Sequence, residues 1–465
     1  MKLCFGTAYP SKMEGCGILL ARRLTSTNNS MPDTQKERSI SPTSSAVRVL
    51  TVLPDFPYPA TTGLHLRMVS NLELVRRLGC FSALLYFSTE GREASPAEST
   101  PLAHLCNEVR YGGHRFLHSD FSTVSLIGHK VDFLVRGGLG LPGKRYPFST
   151  SYDRIGAAEV ILAEARRVKA DFVILPSFML HYAAPLKSNG FRVIADAIDV
   201  LTQLTARFLS NYGKGAIRRL GLYFNYLASR TQERIFLAQC SEVWATSPPE
   251  AEALACIAPG VNVIVVANSL DECVFQPGPE TTHENVGFIG TYSSVPNLDA
   301  ARFLAEQVFP IVLQKNSGAR LKLAGASLPA ADETKLRSLG YVDLFGAVAD
   351  SNDLYSQCRV VALPVFVRGG VPLKIVEAFA REKAVVACPE LVEGLGVRDG
   401  HDVLVRENPE GFANAISLLL SDDAFRRRLG KSGRETFMRN WSLSHAEEIL
   451  RQSSVLASYR QDRTH

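Results

Sequence analysis

The chain has 465 residues with 46% hydrophobic content, enough to bury large cores and to form two domains. Its formal net charge of +5 is spread without a long basic run, too weak an excess to argue for nucleic acid, though an anionic substrate or membrane surface remains compatible with it. Nine cysteines form no C-x-x-C pair and no stretch approaches the roughly 20 apolar residues of a spanning helix, so free thiols in a reducing cytoplasm are expected.

Residues 1 to 46 are rich in Ser, Thr, Pro and Asn without periodicity, which reads as a disordered extension with Met31 as an alternative start and no signal peptide. From Val47, VRVLTVLP forms a short apolar strand, and DFPYPATTGLHLR leads into a helix carrying Leu72, Val75 and Leu78. Gly63 lies at that turn, where a missing Cβ admits a phosphate or sugar; a plain helix cap explains Thr61 to Gly63 as simply. A strand over Phe81–Phe87 precedes a less regular region. Gly138, Gly140 and Gly143 there match G-x-G-x-x-G, but no strand leads in, Pro142 interrupts and KRYPFS follows, so a loop is expected.

A helix with Ile161, Ala165 and Val168 and strands over Asp171–Pro176 and Arg192–Ala195 make the N-terminal half α/β. Asp196 and Asp199 follow at a strand's carboxyl end and read equally as functional carboxylates or as caps of the long helix beyond. The segment with Lys214, Arg218, Arg219, Tyr223, Phe224 and Tyr226 reads as a core helix with one basic edge, in preference to a face docking on an anionic membrane. SEVWATSPPEAEAL supplies a strand, turn and helix. VNVIVV then closes the first domain, and a connector near Asn268–Gly278 with Pro277 and Pro279 marks the boundary.

A second βα series starts at Val286 and runs through GFIGTYSSVPNLDAARFLAEQVFPIVL, LKLAGAS and YVDLFGAVADSNDLYSQC. In the next unit, Arg359–Leu395, an apolar strand (Val360–Leu363) ends in a Pro/Gly-broken loop (Pro364–Val371). A helix follows with Pro372 at its first position and Leu373, Val376 and Ala380 at helical spacing, then a strand over Ala384–Cys388. Such a loop lies at the carboxyl edge of the sheet, where unpaired helix N–H groups attract anions. Lys374 in the first turn opposes the helix dipole unless an anion is bound. Gly369 and Gly370 let a diphosphate approach the backbone, and Glu377 is placed to accept from two ribose hydroxyls. The competing reading is a solvated Lys/Glu pair. Further on, Arg426, Arg427 and Arg428 read as a solvated face, and Ser444 with Glu447 as a capping box opening a last helix that ends near Tyr459.

Taken together, G-x-I-G-T with P-N-x-D-A-A, L-A-G, F-G-x-V-x-D, P-V-x-x-R-G-G-x-P-x-K-I-x-E-A-F-A, E-G-L and G-x-x-x-L-V occur in an order that resembles the group 1 glycosyltransferases. The resemblance covers about Val47 to Trp441. It implies an α/β fold of GT-B architecture, two facing Rossmann-like domains with parallel sheets and an interdomain cleft: an acceptor-side domain over 47–270, a nucleotide-sugar domain over 280–440, and a C-terminal helix and tail over 441–465. It implies that Glu377 holds the ribose and that Lys374 faces the diphosphate. Gly369, Gly370 and Val371 match the glycine-rich loop, Gly290 and Thr291 the other phosphate-side loop, Asp350 and Tyr355 the base-side segment, and Gly63 the N-terminal glycine loop.

The chain departs from the family pattern in three places. Gly369 stands where many members have the first glutamate of a pair that contacts the donor sugar, and TYSSVPN stands where many have an Arg and a Lys. Arg368 and Lys374 are the expected sources of the missing charge. A histidine that some members carry after the strand matching DFVILP is replaced by Pro176 and Ser177; His181, further on, reads equally as a helix residue or a catalytic one. The activity implied is retaining transfer of a sugar from a nucleoside-diphosphate sugar to a glycan or lipid-linked acceptor, in cell-surface polysaccharide synthesis at the inner face of the membrane. Lys374, Arg368 and Asp199 are the catalytic candidates. No D-x-D triplet is present, so neither a metal nor another cofactor is expected. The rivals are a GT-B-like sugar-nucleotide epimerase and a non-catalytic nucleotide-sugar-binding scaffold.

Overall fold

The structure, a computed structural model, describes residues 46–58, 60, 63–88, 91–114, 128, 131–136, 139, 141, 156–212, 215–348, 350–366 and 372–464. The expected extension up to residue 45, the Gly138/Gly140/Gly143 segment, and Arg368, Gly369, Gly370 and Val371 lie outside them. Two compact units are present among the described residues: one is Asn268–His445, the other 46–267 together with 446–464.

The first unit is a seven-stranded parallel sheet in the order β3-β2-β1-β4-β5-β6-β7. Its strands are β1 (Arg48–Leu53), β2 (Phe81–Ser88), β3 (Glu108–His114), β4 (Phe172–Pro176), β5 (Arg192–Ala197), β6 (Glu242–Ala245) and β7 (Asn262–Val265). β2 and β4 are buried along their whole length, as parallel strands covered on both faces must be, which is why their sequences are largely apolar rather than alternating, β2 being broken only by Ser82 before it ends at Ser88. β3 lies in the region read as irregular. It is the edge strand, half-exposed and carrying Gly112 and Gly113, so it shows neither apolar run nor alternation.

Asp196, at the end of β5, is buried. Arg67, from the Gly63–Arg77 helix, donates to its Oδ1 through Nε at 2.8 Å, and Asn71 Nδ2 donates to its Oδ2 at 2.9 Å. Arg67 also reaches the Val266 carbonyl at 3.0 Å. The Leu201–Tyr212 helix beyond is capped from elsewhere, since the backbone N–H groups of Leu201 and Thr202 donate to the Glu233 carboxylate at 2.8 and 2.9 Å. The capping alternative for Asp196 and Asp199 therefore falls: Glu233 already holds the helix N-terminus.

The second unit is a six-stranded parallel sheet in the order β10-β9-β8-β11-β12-β13. Its strands are β8 (Asn285–Ile289), β9 (Arg320–Ala324), β10 (Val342–Gly346), β11 (Val360–Leu363), β12 (Ala384–Ala387) and β13 (Leu404–Val405). The two sheets give the chain its GT-B class, two Rossmann-like α/β domains. Arg426 departs from the solvated reading. It is buried and ion-paired with Glu280 and Asp423, whereas Arg427 is exposed.

The helix Leu443–Ser453 opens two residues earlier than the expected capping box. His445 N donates to Ser442 Oγ at 3.2 Å, while the Ser444 hydroxyl donates to Glu272. The chain is interrupted at Ser454, which donates to Glu242 at 2.7 Å, and a further helix, Val455–Thr464, packs Tyr459 edge-on against Phe172 in the first unit.

The seven described cysteines are free thiols, and among the described residues no helix is long and apolar enough to cross a membrane.

Candidate functional site

β8 and β11 pair side by side, Val286 opposite Val360, but their crossovers lead in opposite directions, β8 to β9 and β11 to β12. Where strand order reverses in this way, the loops leaving the carboxyl ends part and open a crevice for ligand. The loops that part here begin at Gly290 and at Pro364, the two that the motifs single out.

The Gly290 loop is tied to the end of β9. Gly290 N donates to Ala324 O at 3.0 Å and Tyr292 N to Ala326 O at 2.9 Å. The crossing is tight. Gly325 has φ +148°, and a Cβ there would overlap the Gly290 carbonyl; a Cβ on Gly290 would lie 2.8 Å from Asn297 Cγ. Gly325 therefore requires glycine because backbone approaches backbone there, and Gly290 because the Asn297 side chain lies against it.

Asn297 joins the two loops. Its Nδ2 donates to the Thr291 carbonyl at 3.0 Å, and its Oδ1 accepts from Lys374 Nζ at 2.6 Å. Lys374 crosses from the Leu373–Ala380 helix, whose first turn begins one residue later than expected, with Pro372 in the capping position just before it. The ammonium also lies 5.0 Å from the centre of the Phe288 ring. Burial pushes the Lys374 pKa down to about 8, only partly offset by the Glu377 carboxylate. Asn297 offers a neutral dipole, so the cation is oriented but not neutralised, a state that a bound anion would stabilise.

Glu377 turns to another partner. It is partly buried, its carboxylate accepts from Ser351, and burial pushes its pKa above the ordinary carboxylate value. The Lys374/Glu377 pair is thus two side chains engaged separately, which removes the reading of a solvated surface pair. Arg381, just past the helix, fastens the segment facing Glu377. It donates to Asn352 Oδ1 at 3.1 Å and to Asp350 Oδ1 and Ser351 Oγ at 3.3 Å.

Asp350 also accepts from Asn352 N at 2.8 Å, which makes it the organiser of this turn. Tyr355, expected on the base side, is fully buried beneath the helix with its hydroxyl donating to the Lys374 carbonyl at 3.2 Å. Its side chain supports the floor and presents no surface to a ligand, which corrects its place among the binding residues.

The structure therefore brings together Gly290, Thr291, Lys374, Glu377, Asp350 and, as support, Tyr355. Sequence reasoning missed Asn297 and Arg381 as their organisers. Asn297 stood inside the recognised P-N-x-D-A-A motif and Arg381 directly after the helix, but nothing local announced what either would bind. Gly63 and Asp199 belong to the other unit. Gly63 opens the helix that follows β1, at the carboxyl edge of the seven-stranded sheet. Asp199 keeps a solvent-exposed surface, while surrounding protein, with a smaller push from the Glu250 carboxylate, raises its acid to about 6. His181 is buried, its ring 3.9 Å from that of Tyr182, as a packing residue would be.

Residues 283–422 match the family model described as Glycosyl transferases group 1. The matched residues form a group 1 glycosyltransferase domain. The group 1 match spans β8 to the Pro409–Ser421 helix and includes every residue of the Lys374 cradle. Solved structures are similar along most of the chain. Sucrose-phosphate synthase from Thermosynechococcus elongatus is 16% identical over 90% of this chain and 99% of its own, with a TM-score of 0.58. HepE from Anabaena, solved in complex with UDP, is 13% identical over 87% and 99%, with a TM-score of 0.57. TarM is 10% identical over 88% and 98%, with a TM-score of 0.61, and an S. aureus TarM variant was solved with fondaparinux, α-GlcNAc-glycerol and UDP. At these identities the likeness is one of fold. No curated protein matches the chain in sequence.

Removing the amide of Asn297 is expected to loosen the cradle without emptying it. Asn297→Ala should weaken nucleoside-diphosphate binding about tenfold, the usual worth of one hydrogen bond to a charged group. Isothermal titration of wild type and variant with UDP, GDP, ADP and TDP measures it.

Proposed function

We propose that this protein transfers a sugar, with retention, from a nucleoside-diphosphate sugar to a glycan or lipid-linked acceptor in cell-surface polysaccharide synthesis. The observation that carries the reading is the Lys374 ammonium held by Asn297 over the Gly290 loop at a strand-order switch point inside the matched domain. UDP complexes among structures of the same fold support it.

As the anomeric C–O bond breaks, negative charge grows on the leaving diphosphate. Lys374 and the Thr291 N–H of the Gly290 loop are the groups that answer it, and fixed dipoles need no reorganisation at that moment. Glu377 holds the ribose hydroxyls. The leaving phosphate accepts the acceptor's proton, so no carboxylate nucleophile takes part, and Asp199 is the candidate for orienting the acceptor hydroxyl. Arg368 adds a second charge to the diphosphate. The absence of a D-x-D triplet supports a reaction that needs no divalent ion, which transfer at an undiminished rate in EDTA would bear out.

Donor sugars on each of the four nucleotides, incubated with polysaccharide and lipid-linked acceptors, test the reading. Acceptor-dependent transfer, reduced about 10²- to 10³-fold by Lys374→Met, is the expected result. A non-catalytic nucleotide-sugar binder is the second reading, favoured by Gly369 in place of a glutamate and by TYSSVPN in place of the basic pair. It calls for binding with no turnover. Conversion of the donor without any acceptor would instead mark an epimerase.

The pKa of Lys374 also sets a pH dependence. Only the ammonium attracts a diphosphate, and in the empty site half of it is lost near pH 8. Bound anion raises that pKa, so affinity should be flat below about pH 7.5 and fall about tenfold per unit above pH 8. The nucleotide's own phosphate titrates lower, near pH 6, and does not interfere. In Lys374→Met the slope above pH 8 should vanish, as titrations in buffers spanning pH 7 to 9.5 would reveal.

A further inference from the structure

The helix Ala216–Leu237 is built in two halves. Its second half buries Ala228, Ser229, Gln232, Glu233, Phe236 and Leu237 against its own unit. Its first half does the reverse: Leu220, Tyr223, Phe224 and Leu227, spaced i, i+3, i+4 and i+7, form one apolar stripe, and all four are exposed, at 57%, 46%, 53% and 37%. A soluble helix turns such a stripe inward, so the stripe corrects the expectation of a core helix here. A nearby helical turn over 131–136 exposes Val131 and Val135 at 53% each, and the chain just beyond it is tied to the long helix by Gln232 Nε2 donating to Leu141 O at 2.8 Å.

The long helix and the segment before it bring charges of one sign, and Asp132 on the nearby turn is ion-paired with Arg136 at 2.7 Å. From Val200 to Gln232 the sequence has no Asp or Glu but has Arg207, Lys214, Arg218, Arg219 and Arg230. Arg219, four residues before Tyr223, and Arg230, three after Leu227, are exposed at the two ends of the stripe. The aromatic rings cluster beside it, Tyr223 lying 6.4 Å from Phe224 and 6.5 Å from Tyr226.

We infer that this face docks on the surface of a bilayer containing anionic phospholipid. The apolar stripe enters the boundary between headgroups and acyl chains, Tyr223 and Phe224 sit at headgroup level, and Arg219 and Arg230 meet lipid phosphates. One-signed charge distinguishes this occupant from a second copy of the chain, whose same stripe would bring like charges together. The inference stands apart from the proposed transfer reaction, because bilayer binding is read without any donor.

Co-sedimentation of the full chain tests it, with vesicles of phosphatidylcholine alone and vesicles of equal parts phosphatidylcholine and phosphatidylglycerol. The wild type is expected to pellet with the mixed vesicles and to stay in solution with the neutral ones. Two variants, Leu220→Ser with Phe224→Ser and Arg219→Glu with Arg230→Glu, should each lose at least about tenfold in vesicle affinity. Both should keep the wild-type circular dichroism spectrum, and the charge-reversed variant should also keep full thermal stability. Wild type that ignores the mixed vesicles, or variants that bind them as wild type does, would overturn the inference. So would a stable dimer in light scattering that the Leu220/Phe224 variant dissolves, since the stripe would then be an interface between copies.

Discussion

Glu377→Ala should weaken nucleoside-diphosphate binding at least about a hundredfold, the loss expected when two hydrogen bonds between a carboxylate and ribose hydroxyls disappear together. Three structural facts single out this carboxylate. It projects from the helix that also carries Lys374, its pKa is raised by burial, and Arg381 holds the Asp350–Asn352 turn opposite it. A group kept at such a desolvation cost contributes little to folding, so the variant should lose binding while its thermal stability holds or rises. Titration calorimetry and a melting curve on the same preparation read both. Unchanged affinity would detach Glu377 from the nucleotide, and a fall in stability matching the fall in affinity would make its role structural.

Arg67→Ala should destabilise the first unit by about 3–5 kcal/mol, the usual cost of stranding a buried partner ion. Asp196 is almost wholly enclosed, and without Arg67 its carboxylate would retain only Asn71 from that helix. Replacing both ions, as in Arg67→Met with Asp196→Leu, should recover most of the loss, because the attraction of the native pair is largely spent on its own desolvation. The two tryptophans separate the units conveniently. Trp244 is buried in β6, and Trp441 lies in the second unit. Urea unfolding followed by Trp244 fluorescence in a Trp441→Phe background reports the first unit. A loss under 1 kcal/mol would contradict the account, as would a double variant no better than the single one.

What could be read from the sequence was what local chemistry decides. β11 and the helix after it were legible because a β-branched run, a Pro/Gly break and helical spacing follow one another within twenty residues. β3 was not, since an edge strand with two glycines needs no apolar pattern. In the site, Lys374 and Glu377 stood out because a cation in the first turn of a helix opposes its dipole. Their partners did not, because the bond from Lys374 to Asn297 spans 77 residues and that from Arg67 to Asp196 spans 129. Arg426 was misread for the same reason: its partner Glu280 lies 146 residues away. The exposed stripe of the Ala216–Leu237 helix was visible as a pattern, but only the fold shows which way it faces.

The central claim is that a nucleoside diphosphate occupies the crevice between the Gly290 loop and the Leu373–Ala380 helix. A crystal structure of the protein with whichever of UDP, GDP, ADP or TDP binds tightest tests it most directly. The account requires the diphosphate within hydrogen-bond reach of Lys374 Nζ and the Gly290 loop, with the ribose on Glu377. A nucleotide bound instead at the carboxyl edge of the seven-stranded sheet, or one whose diphosphate lies beyond reach of Lys374 Nζ and whose ribose makes no contact with Glu377, would contradict it.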